Sequence, residues 1–497
     1  MKWTRTKRYL PYSAWTAEEL LNLQQQAANS NYQFYYHIRP ESGLLNDPNG
    51  FSFFNNQWHL FYQSFPFGAV HGLKSWFHLV SNDLVHWDRK GLTLKPDSAF
   101  DSHGTYSGSA HVIDDKLFLM YTGNVRDKNW TRHPYQNGAW LDKNNHLTKM
   151  LHPLFGQPEH TTDHFRDPQL LNINNTYYAL LGAQDKDTLT GKIALFRSHD
   201  LKKWEDLGYL SFTNNNMGYM IECPNLVFID GKPTLIFCPQ GLNKNITSYD
   251  NIYPNVFVIG DTVDLDKSFF STSQVAPVNL DEGFDVYATQ AFNGPDGKAY
   301  AISWVGLPDI SYPTDKENWA HCLSQVKQLT IKNGQLYQHP VPAMANLRIN
   351  GRHLSAGNKS HRKVFLMKRS SKHFELKLTI AAQQSGKLHL AADENLTHSL
   401  ELEFSTTENA FLTVERGRSG ISFAENYGTK RSITLPSSKA LDLDIFFDNS
   451  VCEIFVNNGL NVCTLRVFPK ADQNNIILES NRGINYNGTW WNLKKIN

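Results

Sequence analysis

The stretch NGFSFFNNQWHLFYQ, residues 49–63, is two apolar runs joined by Asn55-Asn56. Asparagine tolerates the left-handed backbone that a two-residue hairpin turn requires. The stretch therefore reads as a β-hairpin, one strand leading in and its neighbour returning. The same design recurs as GSAHVIDDKLFLMYTGN from Gly108, RDPQLLNINNTYYALLG from Arg166, ECPNLVFIDGKPTLIFCPQG from Glu222 and YATQAFNGPDGKAYAISWVG from Tyr287. The starts lie 59, 58, 56 and 65 residues apart. A second element, SNDLVHWDRKG from Ser81, returns as SHDLKKWEDLG from Ser198, 117 residues on and about two periods later. Five repeats of this length, each long enough for four short strands, predict an all-β five-bladed propeller. A pair of β-sandwiches is the competing reading, and regular spacing with a matched internal phase favours the propeller.

Outside the repeats, Thr16 and Glu19 form a capping-box pattern ahead of Leu20, Leu21 and Leu23, which predicts a short N-terminal helix. The repeats end near Leu329, and VPAMANLRINGRHLSAGNKSHRK after them lacks periodicity and reads as a connection. From Val364 alternation resumes in KVFLMKRSSKHFELKLTI, ALDLDIFFDNSVCEIFVNNG and LNVCTLRVFP. Alternation with no helix signal predicts a β-sandwich. The expected organisation is a helical extension over 1–30, the propeller over 31–340, a linker over 341–360 and a sandwich over 361–497.

Composition narrows the function classes. Forty-eight basic against 47 acidic residues leave a net charge of +1, too little field to hold nucleic acid or an anionic membrane. The basic N-terminus lacks the apolar region of a secretory signal, and no run approaches a membrane span; a soluble, cytoplasmic protein is expected. Five cysteines without CxxC spacing argue against a disulfide framework or a zinc site. Thirty Phe, 21 Tyr and 12 Trp form a surplus of aromatics able to stack on sugar rings.

The repeats carry acids near a common phase: Asp47-Pro48, Ser107-Gly108, Asp167-Pro168, Glu222-Cys223-Pro224 and Asp285. A single Asp-Pro is usually a turn. On a closed ring, however, the innermost strands line one axis, so Asp47, Asp167 and Glu222 are expected to converge on one pocket, in register. Carboxylates packed together raise at least one pKa, and a protonated carboxyl beside an ionised one is what glycoside hydrolysis uses. Calcium binding is the alternative, without the D-x-D-x-D spacing of a dedicated loop.

The motifs HIRPESGLLNDPNG (37–50), FYQ (61–63), YSGSA (106–110), FRDPQL (165–170), IECPNL (221–226) and GFDVYATQ (283–290) together resemble glycoside hydrolase family 32, the invertases, fructan hydrolases and sucrose-6-phosphate hydrolases. The run FDNSVCEIFVNNGLNVCTLRVFP (447–469) is similar to that family's sandwich signature. The resemblance implies a five-bladed propeller followed by a sandwich, and a retaining β-fructofuranosidase acting on sucrose or sucrose 6-phosphate, with short fructo-oligosaccharides as further substrates. It implies no metal and no organic cofactor.

It also implies roles. Asp47 is the expected nucleophile, Glu222 the general acid and then base, and Asp167 the stabiliser of the oxocarbenium-like transition state. Arg166 is expected to pair with Asp167, Asn46, Gln63 and Ser107 to hydrogen-bond fructosyl hydroxyls, and Trp304 to supply an apolar wall. Two departures stand out. Leu44-Leu45 replaces the family's usual Trp-Met, and His71 stands where secreted members often carry Trp. The HGLKSW version resembles intracellular sucrose-6-phosphate hydrolases, with His71 and Lys74 as expected cationic donors to a phosphate. Rival readings are an inverting pentosan hydrolase on the same fold and a non-catalytic sugar-binding propeller.

Overall fold

The structure, a computed structural model, describes residues 2–356 and 363–496. Residues 37–340 hold five sheets of four or five strands, antiparallel but for one short strand, and a separate two-stranded pair, Thr262–Asp264 with Phe269–Ser271; each of the five has one innermost strand. These inner strands are Gly43–Phe54, Thr105–Ile113, Thr161–Ile173, Met220–Ile229 and Val286–Asn293. Each packs on the inner strands of the two neighbouring sheets, and the fifth returns to the first, so the sheets form a ring. The strand Trp319–Ala320 runs parallel to Gly43-Leu44 and ties the last repeat to the first sheet.

The hairpins sit where the turn residues put them. Asn55 and Asn56 have φ of 50° and 60°, and Asn174 and Asn175 have 52° and 61°, the left-handed pair such turns need. The Ser-x-Asp-Leu repeat is a second local device, joining the third and fourth strands of the first and third sheets. Ser81 Oγ accepts from Leu84 N and Asp83 Oδ1 from Val85 and His86 N. Ser198 and Asp200 repeat this toward Leu201, Lys202 and Lys203.

The ring is also closed by polar side chains. Asn49 Oδ1 accepts from Gly108 N, Ser109 Oγ from Leu170 N, Gln169 Oε1 from Leu226 N, Asn225 Oδ1 from Ala291 N and Gln290 Oε1 from Phe51 N. Each of these buried side chains caps a backbone donor of an adjacent inner strand. Such donors, left unpaired in the core, would each cost about 1–3 kcal/mol. Sheet-to-sheet spacing is thus fixed by hydrogen bonds as well as by apolar packing.

The C-terminal region forms two six-stranded sheets over one apolar core that includes Leu376, Ile445, Ile454, Leu388, Leu402 and Leu412. The expected linker 341–360 differs from what is found. Its residues Arg348–Ala356 form a strand paired with Tyr486–Leu493; the part from 357, with 361 and 362 of the expected sandwich, lies outside the described residues. Alternation was hidden here because the register slips between Ile349 and Arg352, at Asn350 with φ 53°.

The 447–469 signature binds the two regions together. Asp448 accepts from the backbone N–H of Tyr35, Tyr36 and His37, and Asn449 Nδ2 donates to the carbonyls of Asn31 and Gln33. Glu453 accepts from Gln325 N and, with Asp448, brackets the His37 imidazole. At the N-terminus the Thr16–Glu19 capping box starts the helix Ala17–Ala28. Ahead of it Trp3 packs on Phe65, and Trp15 stacks on Phe67 at 4.6 Å. No helix is long and apolar enough to cross a membrane among the described residues.

Candidate active site

Every inner strand carries a bulge just before its capping side chain, one residue earlier in the first two strands than in the other three. The pairing slips between Leu45 and Pro48, Thr105 and Gly108, Arg166 and Gln169, Glu222 and Asn225, and Tyr287 and Gln290. A regular strand sends consecutive side chains to opposite faces; a bulge breaks that alternation and turns two consecutive residues toward one hollow. Asp167, Cys223 and Ala288 adopt left-handed backbone there, with φ of 65°, 48° and 47°. The side chains brought together are Asn46 and Asp47, Arg166 and Asp167, Glu222 and Cys223, with Ser107, Gln63, Lys74 and Tyr287.

The bulge corrects the expected register. Counted back two residues from the capping side chains Asn49, Ser109, Gln169, Asn225 and Gln290, Asp47, Ser107, Asp167, Cys223 and Ala288 share one level, whereas Glu222 lies one residue earlier, level with Asn46, Tyr106, Arg166 and Tyr287. Asp285, expected as the fifth equivalent, is elsewhere. It is buried at the junction with the sandwich, accepting from Tyr312 Oη at 2.7 Å, Arg416 Nη1 at 2.6 Å and Arg466 N at 2.8 Å.

Asp47 is held by neutral donors. Asn46 Nδ2 reaches its Oδ1 at 3.0 Å, Gln63 Nε2 its Oδ2 at 3.3 Å, and Ser107 Oγ donates to Oδ2 while accepting from Gln63. Burial pushes its pKa up and Glu222 adds to this; the bonds from Ser107 and Asn46 pull it back. Glu222 is clamped on both oxygens. Arg166 Nε and Nη2 reach Oε1 at 2.9 and 2.6 Å, and Gln240 Nε2 and Tyr287 Oη reach Oε2 at 2.6 Å each. Arg166 therefore forms its ion pair with Glu222, level with it on the adjacent inner strand, and acts on Asp167 through its charge alone. Asp167 accepts from Cys223 N at 3.1 Å. Burial, opposed by the Arg166 charge and reinforced by Glu222 and Asp47, pushes it up to about 7.

Asp47, Asp167 and Cys223 each place one donor atom within 4.8 Å of the others, close enough to surround one cation. Burial and the charges of Asp167 and Asp47 push the Cys223 thiol well above its usual range, so it offers a protonated sulfur, a poor ligand. Two carboxylates and a protonated thiol make a poor cation site. Below the acids the axis narrows to a void of about 10 Å³ lined by Pro48, Asp167, Pro168, Cys223, Ala288 and others. That void is too small to hold a hexose.

The remaining expected residues are placed as follows. Trp304 lies among the rings of Tyr287, His71 and His321, with only 2% of its surface exposed; it backs the cavity instead of lining a broad wall. Lys74 is buried and donates to Asn46 Oδ1 at 2.5 Å. Burial pushes its pKa down to about 7, with Asp47 holding it up. His71 is reached by solvent but sunk among protein atoms; that crowding, then the charges of Lys74, His321 and Arg8, push its pKa well below the usual value. A neutral His71 offers an N–H without charge, and Lys74 is turned toward Asn46. Tyr287 and Gln240, which hold Glu222, were missed; aligning the repeats on the Glu222 level would have shown Tyr287.

The chain matches the models for the glycosyl hydrolases family 32 N-terminal domain over residues 37–340 and the family 32 C-terminal domain over 344–494. It is 48% identical over 477 residues to a sucrose-6-phosphate hydrolase of Pediococcus pentosaceus, covering 95% of this chain and 93% of that one. A solved sucrose-6-phosphate hydrolase from Lactobacillus gasseri superposes with a TM-score of 0.97 at 53% identity, covering all of both chains. A Bombyx mori GH32 β-fructofuranosidase variant solved in complex with sucrose superposes with a TM-score of 0.82 at 26% identity, covering 98% of this chain and 99% of that one.

Proposed function

The chain belongs to glycosyl hydrolase family 32, and on that footing we propose that it is a retaining β-fructofuranosidase that hydrolyses sucrose and sucrose 6-phosphate. Asp47 attacks the anomeric C2 of the fructosyl unit while Glu222 gives its proton to the glycosidic oxygen, and the C2–O bond breaks. The leaving hexose departs with that proton. Glu222 then takes a proton from water, whose oxygen attacks C2, and Asp47 leaves as the carboxylate. Asp167 faces the positive charge that develops on the fructosyl ring, and Asn46, Gln63 and Ser107 orient its hydroxyls.

The observation that carries this reading is the two-level arrangement. Asp47 sits among neutral donors at one level, and Glu222, clamped by Arg166, Gln240 and Tyr287, sits one residue higher on another inner strand. An acid on each side of a bond is what double displacement requires. The neutral donors around Asp47 leave its lone pairs oriented without a permanent cationic partner.

The five sheets read as five blades, with the propeller over 31–340, an extension over 1–30 and the sandwich from Arg348 onward. A phosphorylated sugar is charged and crosses a bilayer poorly, so the reaction belongs to the cytoplasm.

Proton NMR of the first-formed fructose tests the stereochemistry, and retention at C2 is expected. Asp47→Ala is expected to abolish release of fructose from a folded protein. Inversion, or undiminished turnover in that variant, overturns the reading.

A further inference from the structure

Outward from Glu222 the wall of the cavity is cationic without anions to match. Arg166 Nη1 meets His164 Nδ1 at 3.3 Å, and the charge of Arg132 acts on both His164 and Arg166. Arg132 in turn stands directly opposite Arg126 across the antiparallel strands Lys116–Arg126 and Arg132–Leu141. Like charges facing each other across strands are destabilising. Yet neither guanidinium is compensated: among the described residues no carboxylate lies within ion-pair distance of either, and Asp163 acts on Arg132 only at longer range. The Nε atoms of both are buried without an acceptor. Arg132 donates to no described residue, and Arg126 spends one Nη on the Trp130 carbonyl at 3.0 Å and rests over the Trp130 ring. Burial, then the charge of Arg166, pushes the Arg132 pKa down.

The surroundings shape this pair into a recess. From the N-terminal arm Tyr9 meets Trp130 edge-on at 5.0 Å and lies 6.0 Å from the His103 ring, within the field of Arg126 and Arg132 and beside Tyr106. Arg8 precedes it on the same arm, its carbonyl bonded to Leu73 N at 2.7 Å and its own Nε buried without an acceptor. Two tyrosine hydroxyls thus accompany the guanidinium groups.

We propose that Arg126 and Arg132, with Tyr9 and Tyr106, form the subsite for a phosphomonoester carried on the leaving hexose. The assignment rests on the fructofuranosidase reading above. There the glycosidic oxygen lies at Glu222, so the departing sugar extends along the wall that begins with Arg166. Two arginines offer the forked donors that suit a phosphate, and the dianion supplies the charge the pair lacks. This replaces His71 and Lys74 as the expected donors.

The test compares wild type with Arg126→Gln, Arg132→Gln and Arg132→Lys. The ratio of kcat/KM for sucrose 6-phosphate to that for sucrose is expected to fall about 10- to 100-fold in each Gln variant, the range of a lost charge-assisted contact, and by less in the Lys variant. Calorimetric binding of glucose 6-phosphate, against glucose, is expected to weaken in parallel. Relief of the facing charges is expected to leave the Tm of Arg132→Gln at or above that of wild type in phosphate-free buffer, which separates lost recognition from misfolding. A wild type that hydrolyses neither sugar but binds glucose 6-phosphate through these arginines overturns the fructofuranosidase reading and keeps the subsite. An unchanged ratio and unchanged glucose 6-phosphate binding in the Gln variants overturn the subsite and keep the enzyme.

Discussion

Replacing Asp448 by Asn removes one negative charge from a point where five donors converge. Its Oδ1 accepts from Tyr35 N at 2.8 Å and His373 Nδ1 at 2.7 Å; its Oδ2 accepts from Tyr36 N at 3.2 Å, His37 N at 3.1 Å and His37 Nδ1 at 2.8 Å. The carboxylate is fully buried. An asparagine amide with its oxygen at the Oδ2 position turns an NH₂ toward Tyr35 N–H and His373, so two donors lose their acceptor. Each such loss costs about 1–3 kcal/mol, and a buried imidazolium stripped of one counter-charge costs about 3–5 kcal/mol. The terms overlap, so a destabilisation of about 3–5 kcal/mol is expected, read as a Tm lowered by about 3–5 °C. The pH dependence follows from the same groups. Burial opposes ionisation of Asp448 and Glu453, but the bonds from His37 and His373 to Asp448, and the charge of Lys327 with His37 on Glu453, outweigh it. Asp448 titrates well below the usual carboxylate range and Glu453 near 2. Their contribution is present above about pH 4 and is lost as pH falls toward those folded values. For His37 burial is likewise outweighed by its bonds to Asp448 and Glu453, and its pKa is raised. Its contribution is full below about 6.5 and lost as pH rises through the higher folded value. Wild-type stability should therefore crest between about pH 4 and 6.5, and Asp448→Asn should lower the crest and flatten its acid flank. Scanning calorimetry at pH 3, 5 and 8 checks this. A variant melting within about 2 °C of wild type at pH 5 refutes the argument that Asp448 joins the two regions.

Three further outcomes follow from the site. Tyr287→Phe removes one of the two donors to Glu222 Oε2 and should lower kcat about 10- to 100-fold with a smaller change in KM, since a loosened acid acts mainly in the transition state; equal kcat in steady-state assays would show that Gln240 alone positions Glu222. Asp167, pushed up to about 7 by burial and its acidic neighbours, must be ionised to stabilise the positive charge on the ring, so its titration should make kcat/KM rise as pH increases toward about 7, and a profile flat from about pH 5 to 8 would count against that role. Asn225→Leu replaces the acceptor for Ala291 N and the donor to the Thr289 carbonyl and should destabilise the ring by about 2–4 kcal/mol, measured as a lowered midpoint in urea.

The hairpins were legible because their turn chemistry is local: Asn55-Asn56, Asn174-Asn175 and Asp230-Gly231 each adopt left-handed backbone in two consecutive residues. The three acids were legible for the same reason, each lying in a short motif. The height of each acid was not, because it is set by a bulge with no residue signature. Asp167, Cys223 and Ala288 share the strained backbone but no side-chain type. The better guide was two residues further on, where Asn49, Ser109, Gln169, Asn225 and Gln290 place one polar side chain per repeat inside an apolar strand. Alignment on those positions sets Glu222 level with Tyr287 and removes Asp285 from the ring. Arg126 and Arg132 carried no motif at all; their meaning comes from facing each other without an anion. The two-level result bears directly on the chemistry. Without the bulge, consecutive side chains would alternate away from the axis, and Asn46 could not share a hollow with Asp47, nor Arg166 with Asp167. With it, three inner strands offer two consecutive residues each to the pocket, Asn46 with Asp47, Arg166 with Asp167 and Glu222 with Cys223. The nucleophile can then lie beneath the anomeric carbon while the acid stands beside the oxygen that leaves. A single ring of acids at one height would have put all three on the same side of the bond to be broken.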